Sequence, residues 1–114
     1  MVCGEIWRVN LAVPPGDTHG GEADALVVQD AAYGRGSPMV LVVPLSEEPS
    51  SIGFPGTVPI DQGSQGSPTA MVFQLRALDR GRFVQRLGEV GEAELNEVLA
   101  EIDRLTGRTP KPLD

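Results

Sequence analysis

Few side chains in this sequence can move a proton or hold a phosphate, and most of them stand in polar segments. His19, the only histidine, lies in the loop Gly16-Asp17-Thr18-His19-Gly20-Gly21. An imidazole titrates near neutral pH and suits a general acid or base, although a solvated loop histidine is the plainer role. Gln74 and Arg76 are two residues apart in a run where Met71, Phe73 and Leu75 alternate with Val72, Gln74 and Arg76. Residues two apart on a strand share a face. That would point the Arg76 guanidinium at a phosphate or guanine edge and the Gln74 amide at an adenine edge or backbone. Support of strand pairing or of a dimer contact is the other role open to both. Arg80, Arg82 and Arg86 follow with only Asp79 against them, a local excess of positive charge. Arg35 sits in the Gly-rich stretch Tyr33 to Pro38, where its guanidinium can meet a phosphate or simply be solvated.

Other chemistries find little support. The stretches Gly34 to Gly36 and Gly63 to Gly66 lack the Lys-Ser/Thr ending of a phosphate-binding P-loop. No spacing of His, Cys or carboxylates suggests a metal site, so no metal and no cofactor is expected. Cys3 is the single cysteine, which excludes an intrachain disulfide and suits a reducing cytoplasm. Neither a signal peptide nor a membrane span is expected, because the longest apolar run, Pro38 to Leu45, is strand-sized. The formal net charge of −7 opposes broad capture of nucleic acid. The acids concentrate between Glu89 and Asp103, after the arginine-rich stretch, so one surface can still be locally basic.

The elements that would position these groups read as mainly β. A chain of 114 residues has room for one modest core, here one domain over residues 1–108 with 109–114 as a flexible tail. Its 14 glycines and 10 prolines punctuate apolar runs instead of interrupting them, the habit of short strands joined by tight loops. Glu5 to Val13 alternates, with Trp7, Val9, Leu11 and Val13 on one side and Arg8 and Asn10 on the other, as in a half-buried strand. Trp7 then belongs to the core. Ala25 to Gln29 and Met39 to Leu45 are continuous apolar runs, expected as strands covered on both faces. Thr57 to Ile60, Thr69 to Arg76 and Phe83 to Glu89 complete the strands, with a turn near Asp79 to Arg82. From Glu92 to Thr106, Leu95, Val98, Leu99, Ile102 and Leu105 form one helical stripe, and Gly107 suits its left-handed stop.

The order of these elements and several motifs resemble the MazF/PemK toxins of bacterial toxin–antitoxin pairs, across almost the whole chain. Gly4-Glu5-Ile6-Trp7-Arg8-Val9-Asn10-Leu11 is similar to the family's opening, with Asn10 in place of the usual acid. The loop Gly16 to Gly21 stands where the family has a Gly-Ser-Glu-x-Gly-Gly type loop, and Val43-Pro44-Leu45-Ser46 resembles its Val-Pro-Ile-Thr. Gln74 to Phe83 is similar to Gln-Ile-Arg-Thr-Ile-Asp-Lys-x-Arg-Leu, and Leu87-Gly88-Glu89-Val90 resembles the Ile-Gly-x-Leu before the last helix.

The resemblance implies an α+β fold, a compact SH3-like β-barrel with a C-terminal helix as in the MazF, PemK and CcdB toxins. It implies a cytoplasmic homodimer, held inactive by a cognate antitoxin, that cuts single-stranded mRNA without a metal by attack of the ribose 2′-hydroxyl on the adjacent phosphate. On this reading Ser46, Arg76 and His19 are the catalytic candidates, and Gln74, Arg76, Arg35, Arg80 and Arg82 contact RNA. Ser46 would bond a phosphate oxygen, its alternative role being a loop-initiating bond to its own backbone. Active members carry Arg-Pro before the second strand, where this chain has Ala23-Asp24. Loss of such a donor costs about two to three orders of magnitude in rate. The alternative is therefore a non-nucleolytic, CcdB-like toxin or an antitoxin-binding decoy that acts through protein contacts.

Overall fold

The computed structural model describes residues 1–11, 21–47, 55–60 and 68–108. His19, Val13 and residues 109–114 lie outside the described residues. The strands are β1 (Glu5–Asn10), β2 (Glu22–Val27), β3 (Met39–Ser46), β4 (Thr57–Pro59), β5 (Thr69–Met71), β6 (Arg76–Asp79) and β7 (Phe83–Glu89), and the helix α1 (Glu92–Leu105) closes the fold. All pairings are antiparallel, in the order β4-β5-β3-β2-β1-β7 with β6 also on β3. Among the described residues this path runs from β4 to β7 without closing, so the mainly β fold with its C-terminal helix is as expected while the barrel is open.

The second half of β2, Ala25 to Val27, and most of β3 are apolar on both faces because each face covers a core. Leu26 and Val43, together with Ile6, Val58, Ile60 and Val72, pack beneath α1 through Val98, with Leu95, Leu99 and Ile102 against them. Ala25, Val27, Val40 and Val42 face the other way, with Val9 and Leu78, and meet Trp7, Leu11 and Phe83. The Trp7 and Phe83 rings meet edge to face at 5.8 Å, a favoured aromatic geometry. Trp7 is partly buried and packs against this second core.

The expected strand Thr69 to Arg76 is broken. Both halves run beside β3, β5 against Leu45 and Ser46 and β6 against Met39 to Val42. Between them Val72–Gln74 forms a 3-10 turn. The break falls beside Val43 and Pro44, where Pro44 offers no N–H to a ladder. The turn drives Val72 into the core and exposes Phe73, the reverse of strict alternation. Gln74 and Arg76 therefore do not share a strand face: Gln74 ends the turn and Arg76 pairs with Val42 on β6.

The helix follows its sequence closely. Glu92 and Glu94 lie in the first turn and Arg104 in the last, complementing the dipole, and Glu94 accepts from the Gly91 N–H at 3.4 Å. At the other end Gly107 adopts φ +84°, the left-handed stop. Gly4, at φ +100°, accepts from the Val90 N–H and donates to the Val27 carbonyl, tying the start of β1 to β2 and to the entry of α1.

Glu5 anchors the opposite edge of β1. It accepts from the Trp7 indole at 2.9 Å, from the Val2 N–H at 3.1 Å and from Arg86 of β7 at 3.0 Å. Burial raises its carboxyl, but these bonds and the Arg86 charge outweigh that and hold it below the ordinary glutamate value. A depressed folded value means that the stabilisation is complete above the unfolded pKa of about 4.3 and fades as pH falls through the lower folded value. Glu5→Gln is expected to lower the thermal midpoint at pH 7. The gap from the parent should narrow below about pH 4, which melts across pH 3 to 7 would follow.

Candidate nucleic-acid cleft at the ends of two strands

A cleft of about 570 Å³ opens where β2 begins and β3 ends. It is lined by Arg8 of β1, Glu22, Ala23 and Asp24 of β2, and Ser46 and Glu47 at the end of β3, with Leu45 and Pro68 as its apolar part. Register explains the grouping. Arg8 pairs across the ladder with Asp24 and Val9 with Ala23. β2 and β3 pair as far as Ala25 with Pro44, and Ala23 and Ser46, two residues further along each strand, both line the cleft. On its other side Ser46 pairs with buried Thr69 of β5.

The electrostatics of the cleft are unusual for a phosphate site. Among its described lining residues, Glu22, Asp24 and Glu47 face one cation, Arg8, a balance of −2. The Arg8 Nε lies 3.5 Å from an Asp24 carboxylate oxygen, with the two side chains 43% and 33% exposed. Among the described residues no three His, Cys, Asp or Glu side chains gather as a metal ion would require.

Of the residues singled out from sequence, Ser46 alone lines this cleft, beside Ala23 and Asp24. Arg76 and Gln74 are exposed on β6 and the 3-10 turn, outside the described lining. Arg35 follows the 3-10 turn Ala31–Gly34 at the far end of the β2–β3 ladder, and the intervening β3 spans roughly 20 Å at about 3.3 Å per residue. Arg80 donates to the carbonyls of Ser37 and Gly34 at 3.0 and 2.8 Å, and Arg82 to that of Asn10 at 3.1 Å. These two guanidiniums pin loops to the sheet. Arg8, Glu22 and Glu47 are functional candidates that the sequence reading missed. The signal for Arg8 is its place on the polar face of β1, which acquires meaning only once the β1–β2 register sets it against Asp24.

A second depression of about 290 Å³ lies between the Val72–Gln74 turn and the end of α1. Its rim carries Phe73, 53% exposed, and Leu105, 47% exposed. Leu105 is the one residue of the predicted helical stripe that leaves the core for this groove.

Comparison with known proteins gives the chain a family. The model of PemK-like, MazF-like toxins of type II toxin–antitoxin systems matches residues 3–106. The chain belongs to the PemK/MazF toxin family. Among solved structures, a MazE-MazF crystal structure from Deinococcus radiodurans matches with TM-score 0.81 and 25% identity, over 96% of this chain and 97% of that one. An endoribonuclease from a mycobacterial species matches with TM-score 0.76 and 20% identity, over 98% and 95%. A mycobacterial endoribonuclease in complex with its cognate antitoxin matches with TM-score 0.74 and 20% identity, over 98% and 97%. No curated protein sequence matches the chain significantly. Among the described residues no helix is long and apolar enough to cross a membrane. Ala23 and Asp24, which stand where the resemblance leads one to expect Arg-Pro, both line the cleft.

Proposed function

We propose that this PemK/MazF-family toxin is a metal-independent endoribonuclease that cuts single-stranded mRNA at a short sequence in the cytoplasm, slowed by Ala23. The observation that carries this reading is the cleft that groups Ser46 with Ala23 and Arg8. In the proposed step the 2′-hydroxyl gives up its proton, the O2′–P bond forms, the P–O5′ bond breaks and O5′ takes up a proton. The products are a 2′,3′-cyclic phosphate and a free 5′-hydroxyl, with no water consumed. The Ser46 hydroxyl hydrogen-bonds a phosphate oxygen. His19, in the segment of sequence before β2, is the proposed acid or base, and Glu22 and Glu47 bring carboxylates that can share the proton transfer.

Arg76 and Arg35 are proposed to hold phosphates of the flanking RNA and Gln74 to contact the same strand separately, while Arg80 and Arg82 shape the surface from the carbonyls they bind. Two copies are proposed to associate, and the Phe73–Leu105 groove to take apolar side chains of the antitoxin. The alternative, a non-nucleolytic CcdB-like toxin or an antitoxin-binding decoy, draws on one observation, the −2 balance of the cleft, which repels phosphate.

Long single-stranded RNA incubated with the purified toxin in chelator tests the nuclease reading. Discrete cuts are expected from the parent. Ser46→Ala should cut about 10²-fold more slowly, the typical loss for one preorganised donor. A parent preparation that leaves the RNA intact at large enzyme excess would favour the decoy.

A further inference from the structure

We propose that Arg8 is the phosphate-binding cation of the cleft and that Asp24 is its resting counter-charge, displaced when RNA enters. The inference rests on the ribonuclease reading above. Arg8 is the one cation among the described lining residues, and it shares the cleft with Ser46 and Ala23. The other candidates are placed elsewhere: Arg80 and Arg82 bond backbone carbonyls, and Arg76 and Arg35 lie outside the described lining.

The Arg8–Asp24 contact has the character of a holding pair. At 3.5 Å through Nε it is long for a charge-assisted hydrogen bond. Both partners are partly exposed, 43% and 33%, and ion pairs so placed are weakly held and readily exchanged. A phosphate offers the same guanidinium a doubly charge-assisted, fork-like contact that Asp24 does not make here. The ladder fixes the Arg8 backbone beside Asp24 on one side and β7 on the other, so its reach into the cleft is set by the sheet. Arg8 lies on the Asp24 face of the sheet, opposite Ala23, and brings the cleft the one guanidinium among its described lining residues. Asp24 lowers the charge available to the phosphate until substrate displaces it.

Two readouts separate this assignment from the nuclease reading. One is single-turnover cleavage of RNA. The other is the affinity for a 2′-O-methyl oligoribonucleotide, which binds but lacks the attacking hydroxyl, measured as a function of salt. Arg8→Ala is expected to cut about 10²-fold more slowly, and its slope of log affinity against log salt should flatten by about 0.7, the loss of one phosphate contact on a single strand. Arg8→Lys should restore the slope and only part of the rate. Asp24→Asn is expected to bind about five-fold tighter, the effect of removing one charge a few ångströms away in a water-filled cleft. Arg104→Ala, which removes the same charge from α1, should leave both readouts as in the parent. Arg8→Ala with parental rate and salt slope overturns the proposal while the nuclease reading stands. If the parent cuts no RNA, the nuclease reading fails, and the salt slopes of Arg8→Ala and Asp24→Asn on the 2′-O-methyl strand still decide the phosphate assignment.

Discussion

Ala23→Arg is expected to accelerate RNA cleavage by about 10²-fold, the largest functional change that a single substitution should produce in this chain. Ala23 lines the cleft with Ser46, held by its pairing with Val9 of β1 and two residues from the start of the β2–β3 ladder at Ala25. A guanidinium placed there would meet the negative charge that grows on the phosphate oxygens as the O2′–P bond forms, and its position would be set by β2 before the reaction starts. Part of its benefit overlaps with Arg8, because two cations serving the same oxygens are not additive. Arg8→Ala should therefore cost much less in the Ala23→Arg background than in the parent. An unchanged rate for Ala23→Arg would mean that the cleft already holds all the positive charge the step uses. A variant that cuts while the parent does not would make the natural protein a decoy.

Leu26→Ala is expected to produce the largest loss of stability. Leu26 is fully buried in the middle of the sheet, paired with Ile6 on one side and Val43 on the other, and packs beneath the helix in the cluster that includes Val98. Truncation leaves a cavity that two hydrogen-bonded neighbours prevent from collapsing. The expected cost is about 3 kcal/mol, or a fall of roughly 10 to 20 °C in Tm for a domain of this size. Urea unfolding of the purified chain should show a lower midpoint at an unchanged slope. A loss below about 1 kcal/mol would mean that the helix and sheet close over the gap.

Much of the fold was legible because its signals are local. The alternation around Trp7 and Val9, the apolar runs of β2 and β3, and the helical stripe from Leu95 to Ile102 each state their own burial, and each lies where its pattern places it. The resemblance added their order. What was not legible depends on contacts between distant segments. Pro44 signals that its ladder is incomplete, but the 3-10 turn at Val72–Gln74 appears only when β5 and β6 are laid along the same edge of β3. That one turn separates Gln74 from Arg76 and exposes Phe73.

The same limit governs the site. Ser46 and Ala23 were found from motifs, yet Arg8 looked like an ordinary polar residue on a half-buried strand. Its significance comes from a partner 16 positions later in sequence, Asp24, and from a cleft that three strands build together. Arg80 and Arg82 show the converse, since positive charge counted along a sequence does not reveal that both guanidiniums are engaged by carbonyls of other segments.

The central claim, cleavage by the RNA's own 2′-hydroxyl without a metal, is most directly tested on one oligoribonucleotide cut in excess chelator. It would be compared with the same strand carrying 2′-deoxyribose at the single position preceding the cut. The expected result is a 2′,3′-cyclic phosphate on the first strand and no cut on the second. Cleavage of the deoxy-substituted strand, or loss of all cleavage on chelation, would contradict it.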